Sequence, residues 1–262
     1  MGPQTAKMNI HITLVAYALD ITPLVRSLAG PDVAWHIFRH SNKPEVIAQV
    51  DALMDEIANI YYYPIGANQG LARSWNQGLC NSQDLSADVM VLLNDDIQAS
   101  RDDLMILANA ALSHRDYGII EVQGFDGGMQ RMQSMNFGFT AIQPIAIEKV
   151  GYFDESYWPI YGEDVDYSYR CGLDGVKFYD AGPTGVIHEA HATINADAAL
   201  MANHAENFAV NEQYHAAKWG GPYGKETWRL PFNSENFSRK ISEEARHCAY
   251  PGYSRKIEVA RE

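Results

Sequence analysis

From residue 8 to about residue 123 the chain alternates, without interruption, between short apolar runs and stretches of helical spacing. The runs are "NIHITLVAYA", "VAWHIFRH", "NIYYYPI", "DVMVLLNDD" and "YGIIEVQG". Each is rich in β-branched or aromatic residues and bounded by a polar or glycine-containing turn, which predicts strands. Between them lie segments that predict helices. One opens at Thr22-Pro23, with Thr22 as the cap and Pro23 in the first helical position. Two more cover "SNKPEVIAQVDALMDEIA" and "LARSWNQGLC", and a fourth runs from a Ser100/Asp103 capping box to about His114. Strand and helix in strict alternation predict a doubly wound, Rossmann-like, mostly parallel sheet covered on both faces. "DVMVLLNDD", apolar on both faces, is its central strand.

Beyond this stretch the rhythm changes. Glycine-rich "GFDGGMQRMQ" leads into "MNFGFTAI", a short helix at "PIAIEKVG", the acidic and aromatic "WPIYGEDVDYSYR", and two short strands, "VKFYDAG" and "GVIHEA". This half carries no independent pattern and reads as a smaller cap on the same sheet. A length of 262 residues with 47% hydrophobic residues suits one large α/β domain with an appendage. The net charge of -13 argues against a protein that grips nucleic-acid phosphates over a broad surface. The charge is uneven: from Lys225 onward there are eight basic and six acidic residues, a weakly basic tail on an acidic body. No run of 18 apolar residues predicts a transmembrane segment. Residues 1–7, "MGPQTAK", read as a vector-derived remnant before Met8, and no signal peptide is evident. Three dispersed cysteines, Cys80, Cys171 and Cys248, suit a reducing cytoplasm, with contact to a membrane at most peripheral.

Chemistry concentrates where the central strand ends. Ligands of open parallel sheets bind at the carboxyl edge, and "VMVLLNDD" delivers Asn94, Asp95 and Asp96 to that edge. Adjacent carboxylates repel unless a cation joins them, and hard oxygen ligands select Mg²⁺ or Mn²⁺ completed by substrate phosphate oxygens. A polar turn after a strand would use the same residues. His188 ends another predicted strand, with Glu189 and His191 close behind. In "WPIYGEDVDYSYR" a helix starting near Gly162 sets Asp166 four residues before Arg170, a favourable pair of about 0.2–0.5 kcal/mol on an exposed helix. Asp164 has no basic residue at that spacing. The dipole of the helix start would favour it, yet Trp158, Pro159 and Tyr161 suggest a walled pocket in which an unpaired carboxylate acts as a general base.

"VMVLLNDDIQAS", then "MNFGFTAIQPIAIEKVGYFDESYWPIYGEDVDYSYRCGLDG", then "VIHEAHAT" resemble glycosyltransferase family 2, of the GT-A fold. Upstream "NQGLARSWNQGL" is similar to the family's paired Asn-x-Gly segment. The resemblance covers roughly residues 8–220, with 8–123 as a nucleotide-sugar half, 124–220 as an acceptor half and 221–262 as a C-terminal extension. It implies an enzyme transferring a sugar, with inversion, from a nucleotide diphosphate sugar to a glycan or other hydroxyl-bearing acceptor, with Mn²⁺ or Mg²⁺. Asp96 and His188 would hold the metal, and Asp164 would be the base. Donor contacts would come from Ala16, Tyr17, Ser41, Asn42, Asn68, Arg73, Asn76, Asn94 and Asp95, and acceptor contacts from Trp158 and Glu163. One departure stands out: the family's nucleobase-reading Asp after the second strand is replaced by "FRHSNKPE", where an amide could still bond a pyrimidine, so a UDP-sugar is the expected donor. The tail "YHAAKWGGPYGKETWRLPFN" also resembles a segment of some members, in which Lys218 and Trp219 could close over the ligand or simply pack.

Two other classes fit parts of the pattern. A nucleotidyltransferase also joins paired acids to a parallel sheet, but would carry a glycine-rich basic loop after the first strand, and "AYALDITP" has neither feature. A non-catalytic sugar-binding module is opposed by the joint presence of Asp95-Asp96, Glu163-Asp164 and His188.

Overall fold

The computed structural model describes residues 8–127, 130–134, 136–189, 192–196 and 198–242. His191, the 1–7 leader, Cys248 and most of the basic tail therefore lie outside the described residues. In chain order the elements are β1 (Ile10–Ala16), α1 (Thr22–Leu28), β2 (Val33–Arg39), α2 (Pro44–Glu56), β3 (Ile60–Tyr63), α3 (Leu71–Asp84), β4 (Val89–Leu93), β5 (Ile97–Gln98), α4 (Arg101–Ser113), β6 (Ile119–Asp126), β7 (Arg131–Met132), β8 (Phe139–Ile142), α5 (Pro144–Val150), α6 (Glu163–Leu173), β9 (Phe178–His188), α7 (Ala192–Ala196) and α8 (Ala198–Trp219).

One sheet runs through the molecule in the order β3-β2-β1-β4-β8-β6-β9-β5, with β7 hydrogen-bonded to β6. The β3-β2-β1-β4 half is parallel, as the alternation dictates. All five residues of β4 are buried, and β1, β2 and β4 with the helices that cover them form the larger core. A second core lies between α3, β8, α5 and α6, built on Trp75, Phe153 and Tyr167.

The second half is more than a cap. β8 enters the sheet between β4 and β6, antiparallel to both. Its four residues are all buried, so its apolar pattern is what places it in the middle. The two short strands expected at "VKFYDAG" and "GVIHEA" are one, β9, which runs parallel to β6 through register shifts near Gln123. The glycine and proline between the two runs read as a break, but they sit at this irregularity, where a bulged strand tolerates them.

Helix starts follow local chemistry. Ser100 and Asp103 form the expected reciprocal capping box on α4. At α1 the cap is displaced: Thr22 is already helical, and Asp20 Oδ1 accepts its backbone N–H at 3.0 Å. The long helix α8 is not legible in the sequence, because its polar residues hide its buried face.

Candidate active site

β4 ends at Leu93, and the chain turns through Asn94, Asp95 and Asp96 into β5. Two residues of β5 pair antiparallel with the end of β9, Ile97 opposite His188. The backbone N–H of Glu189 also donates to the Asp96 carbonyl at 2.9 Å. This short ladder brings together residues that lie far apart in the chain. Asp96 Oδ1 stands 3.2 Å from His188 Nε2, with both side chains about nine-tenths buried. Asp95 Oδ1 accepts from Thr193 Oγ1 at 2.5 Å. Burial, aided by the neighbouring Asp96 charge and opposed by the Thr193 bond, pushes the Asp95 carboxyl up to about 7.

Facing this edge is the start of α6. Tyr161 and Gly162 both adopt left-handed backbone, φ 83° and 91°, and the helix begins at Glu163. Glu163 is buried, and burial together with the Asp164 charge pushes its carboxyl well above the usual range. Asp164 is also raised by burial, but backbone N–H groups of the helix start oppose the rise. Both adjacent acids are thus raised by burial against opposing backbone N–H groups, and the rise is the stronger at Glu163, where the Asp164 charge adds to it.

Between the two edges lies a cavity of about 350 Å³. Tyr17, Asn68, Asn94, Asp95, Asp96, Glu163, Asp164 and His188 line it, eight of the residues expected from the sequence. Its apolar wall is made by Val15, Leu71, Trp75, Leu93 and Ile160. Among the described residues, Asn94 Oδ1, Asp95 Oδ2, Asp96 Oδ1, Glu163 Oε2 and His188 Nδ1 are buried without a hydrogen-bond partner. Native interiors rarely leave such groups open, and here these atoms belong to residues of one cavity, whose lining residue Trp75 also leaves its Nε1 without a partner.

The remaining expected residues lie elsewhere. Asn76 is fully engaged in structure: its amide donates to the Phe153 carbonyl and Glu155 Oε1, and its oxygen accepts from Phe153 N–H at 2.8 Å. It clamps α3 to the loop after α5 and is not part of the cavity wall. Arg73 Nε lies 3.9 Å from Glu155 and is not part of the cavity wall. Ala16 is buried in the sheet, its carbonyl accepting from His40 N–H. Ser41 Oγ accepts from Lys43 N–H and Asn42 Oδ1 accepts from Arg39, and neither residue lines the cavity. Trp158 is 52% exposed and lies beside Gly70, where a Cβ would fall 3.0 Å from its ring. Lys218 and Trp219 do not close over the cavity: both are buried on Asp166, Lys218 Nζ at 2.6 Å and Trp219 Nε1 at 2.8 Å.

Sequence reasoning missed His40 and Thr193 as lining residues, whereas Pro159 and Tyr161 wall the cavity as expected. His40 had a usable signal, since it directly follows β2 at the same carboxyl edge as Asn94. Burial lowers its pKa to about 4, so at neutral pH it is an uncharged ring, with Nε2 2.7 Å from Ser74 Oγ.

The donor set fits a divalent ion in part. A carboxylate with an imidazole suits Mn²⁺ better than Mg²⁺, which favours oxygen alone. Among the described residues no three His, Cys, Asp or Glu side chains gather into a complete metal site, so ligand oxygens would have to finish the shell.

Comparison with known proteins bears on this arrangement. No family model matches the chain. A galactofuranosyl glycosyltransferase from Leishmania donovani is 42% identical over 55 residues, which is 21% of this chain and 13% of that protein. S. aureus TarS 1-349 superposes with a TM-score of 0.55 at 11% identity, covering 79% of this chain and 69% of that one. The Pyrobaculum calidifontis mannosyltransferase PcManGT, solved with GDP-Man and Mn²⁺, gives 0.54 at 11% identity over 70% of this chain and 57% of that one. GalNAc-T7 with UDP, GalNAc and Mn²⁺ gives 0.51 at 13% identity over 70% and 44%. The mixed α/β sheet and these superpositions show that the chain has the GT-A glycosyltransferase fold.

Proposed function

We propose that the chain is a metal-assisted, inverting glycosyltransferase that moves a sugar from a nucleotide diphosphate sugar to an acceptor hydroxyl. One observation carries the reading: buried polar atoms without a hydrogen-bond partner, Asp96 Oδ1 apart from its 3.2 Å approach to His188 Nε2, gather from the ends of β4 and β9 and the start of α6 around a single cavity of about 350 Å³. That volume lies within the range of small-molecule sites. Acceptor-only oxygens on one side call for a cation, and a carboxylate on the other suits a base.

Asp96 and His188 would hold the ion, which when bound neutralises the charge of the leaving diphosphate. Tyr17, Asn68, Asn94 and Asp95 bind the donor along the carboxyl edge. Asp164 accepts the proton of the attacking acceptor hydroxyl, and Glu163, whose carboxyl burial pushes upward, would donate a hydrogen bond to the same substrate when protonated. Attack from the α6 side on a donor held at the β4 side is an in-line displacement, which inverts the anomeric carbon. The apolar wall formed by Leu71, Trp75 and Ile160 keeps water from competing. A uridine nucleotide is the proposed donor base, supported by TarS 1-349 solved with UDP-GlcNAc and GalNAc-T7 solved with UDP. The division into a donor half (8–123), an acceptor half (124–220) and an extension (221–262) belongs to this proposal. Among the described residues no helix is long and apolar enough to cross a membrane, so a lipid-linked acceptor would be reached at a membrane surface.

Calorimetry with UDP and GDP, with Mn²⁺ and after chelation, tests the reading. Binding that weakens strongly on chelation is expected. Equal affinity in both conditions would remove Asp96 and His188 from the metal role.

A further inference from the structure

The two acids of α6 reach the cavity because of an unfavourable turn. Tyr161 holds φ 83°, a region that costs a non-glycine residue energy. Gly162 follows at φ 91°, and a Cβ there would lie 2.4 Å from Tyr223 Oη. Something must hold Tyr161 in that state, and the contact comes from α8. Asn211 Nδ2 donates to the carbonyls of Ile160 and Tyr161, each at 3.0 Å, and the residue is 1% exposed. The same face of α8 carries His204 and Phe208, whose rings stand 5.1 and 5.7 Å from that of Tyr161. Further along α8, Lys218 anchors the body of α6 through Asp166. Asn211 therefore touches the turn alone, while the helix behind it is fastened independently.

We propose that Asn211 is a positioning residue: by bonding two successive carbonyls it holds the left-handed Tyr161–Gly162 turn and so aims Glu163 and Asp164 into the cavity. This rests on the glycosyltransferase reading for its consequence in catalysis, but not for the clamp itself. A base displaced by about 1 Å loses on the order of 10²-fold in rate.

The test is a double-mutant cycle. Asn211→Ala is expected to lower sugar-transfer turnover about 10²-fold while the dissociation constant for UDP with Mn²⁺ changes little. Asn211→Asp keeps the volume but not the two donors, should be as damaging as the truncation, and serves in its place if the truncation costs the fold. In a Tyr161→Gly background, glycine accepts the left-handed state without cost, so the further loss from Asn211→Ala should shrink to a few-fold, whatever Tyr161 itself contributes. Equal losses in both backgrounds, or an active Asn211→Asp, would overturn the proposal. Amide hydrogen exchange at residues 162–166 is the readout independent of activity: it should quicken in both Asn211 variants, and unchanged exchange would overturn the clamp. A wild-type protein that transfers no sugar from any nucleotide sugar defeats the glycosyltransferase reading instead, and the exchange result still decides the clamp.

Discussion

Glu163 and Asp166 sit three residues apart on α6, both are almost wholly removed from solvent, and their surroundings have little else in common. Asp166 is saturated: Arg170 Nε at 2.8 Å, Lys218 Nζ at 2.6 Å and Trp219 Nε1 at 2.8 Å all donate to it. Burial alone would raise its pKa, but Lys218 and Arg170 outweigh that and hold it well below the ordinary range. Lys218 also bonds Asp154 Oδ2 at 2.7 Å, and Arg170 donates to the carbonyls of Val150 and Tyr152. Glu163 Oε2, by contrast, has no partner, and its carboxyl is driven upward. A buried acid whose bonds are complete holds the structure together, whereas one left open awaits something that binds. The contrast sets Asp166 in the architecture and, on the proposed function, leaves the Glu163–Asp164 pair for chemistry, although all three belong to one short acidic stretch.

The largest test of that division is Asp164→Asn. Loss of a general base costs about 10²–10⁴ in rate, so turnover should fall by that order while UDP–Mn²⁺ affinity, measured by calorimetry, stays near wild type. An active Asp164→Asn beside an inactive Asp166→Asn would reverse the assignment. Asp166→Asn should register in stability: leaving Lys218 and Arg170 without their anion costs about 3–5 kcal/mol, read as a lower urea midpoint. That replaces the value of a few tenths expected for an exposed helix pair, because Arg170 and Asp166 are both fully buried. The Asp166 contribution is present above the ordinary carboxylate pKa and is lost as pH falls toward the depressed folded value.

Burial without a counter-charge behaves differently and supplies a third test. His11 Nδ1 lies 2.9 Å from His36 Nε2 inside the sheet. Burial lowers His11 to about 4, and burial with the His11 charge lowers His36 well below 6.5. On acidification the unfolded chain takes up these protons first, so it carries more protons than the folded state between pH 6.5 and about 4. Stability should therefore fall across that window, by up to about 3 kcal/mol for His11, and His11→Gln should flatten the slope of melting temperature against pH. The smallest effect expected is that of Glu163→Gln. If Glu163 works as a neutral donor, the amide should keep turnover within about tenfold, or roughly 1.4 kcal/mol, and a loss matching that of Asp164→Asn would show that Glu163 works ionised.

Much of the fold could be read from local pattern. β1 to β4 and their helices follow from period and turn chemistry, as does the Ser100 cap, because each is decided within a few residues. The carboxyl-edge acids Asp95 and Asp96 were visible for the same reason: an apolar strand must end, and the residues next in the chain face the ligand edge. Other features depend on partners that no local window contains. Asn76 resembles a ligand contact in the sequence, but Phe153 and Glu155 occupy its amide. The polar stripe of α8, His204, Phe208, Asn211, His215 and Lys218, recurs every three or four residues, but its mixed chemistry reads as a solvated face.

The sequence by itself determined the alternating sheet, the edge where chemistry gathers and the identity of the acids there, since these rest on backbone periodicity and on which side chains tolerate burial. The tertiary structure alone decided which acids are satisfied and which are open. β5 pairing with β9 set His188 beside Asp96, and α8 supplied Lys218 and Trp219 to Asp166 and Asn211 to the turn before Glu163. The reason is physical: a polar group's charge and role depend on what replaces its water, and those replacements come from segments distant in the chain.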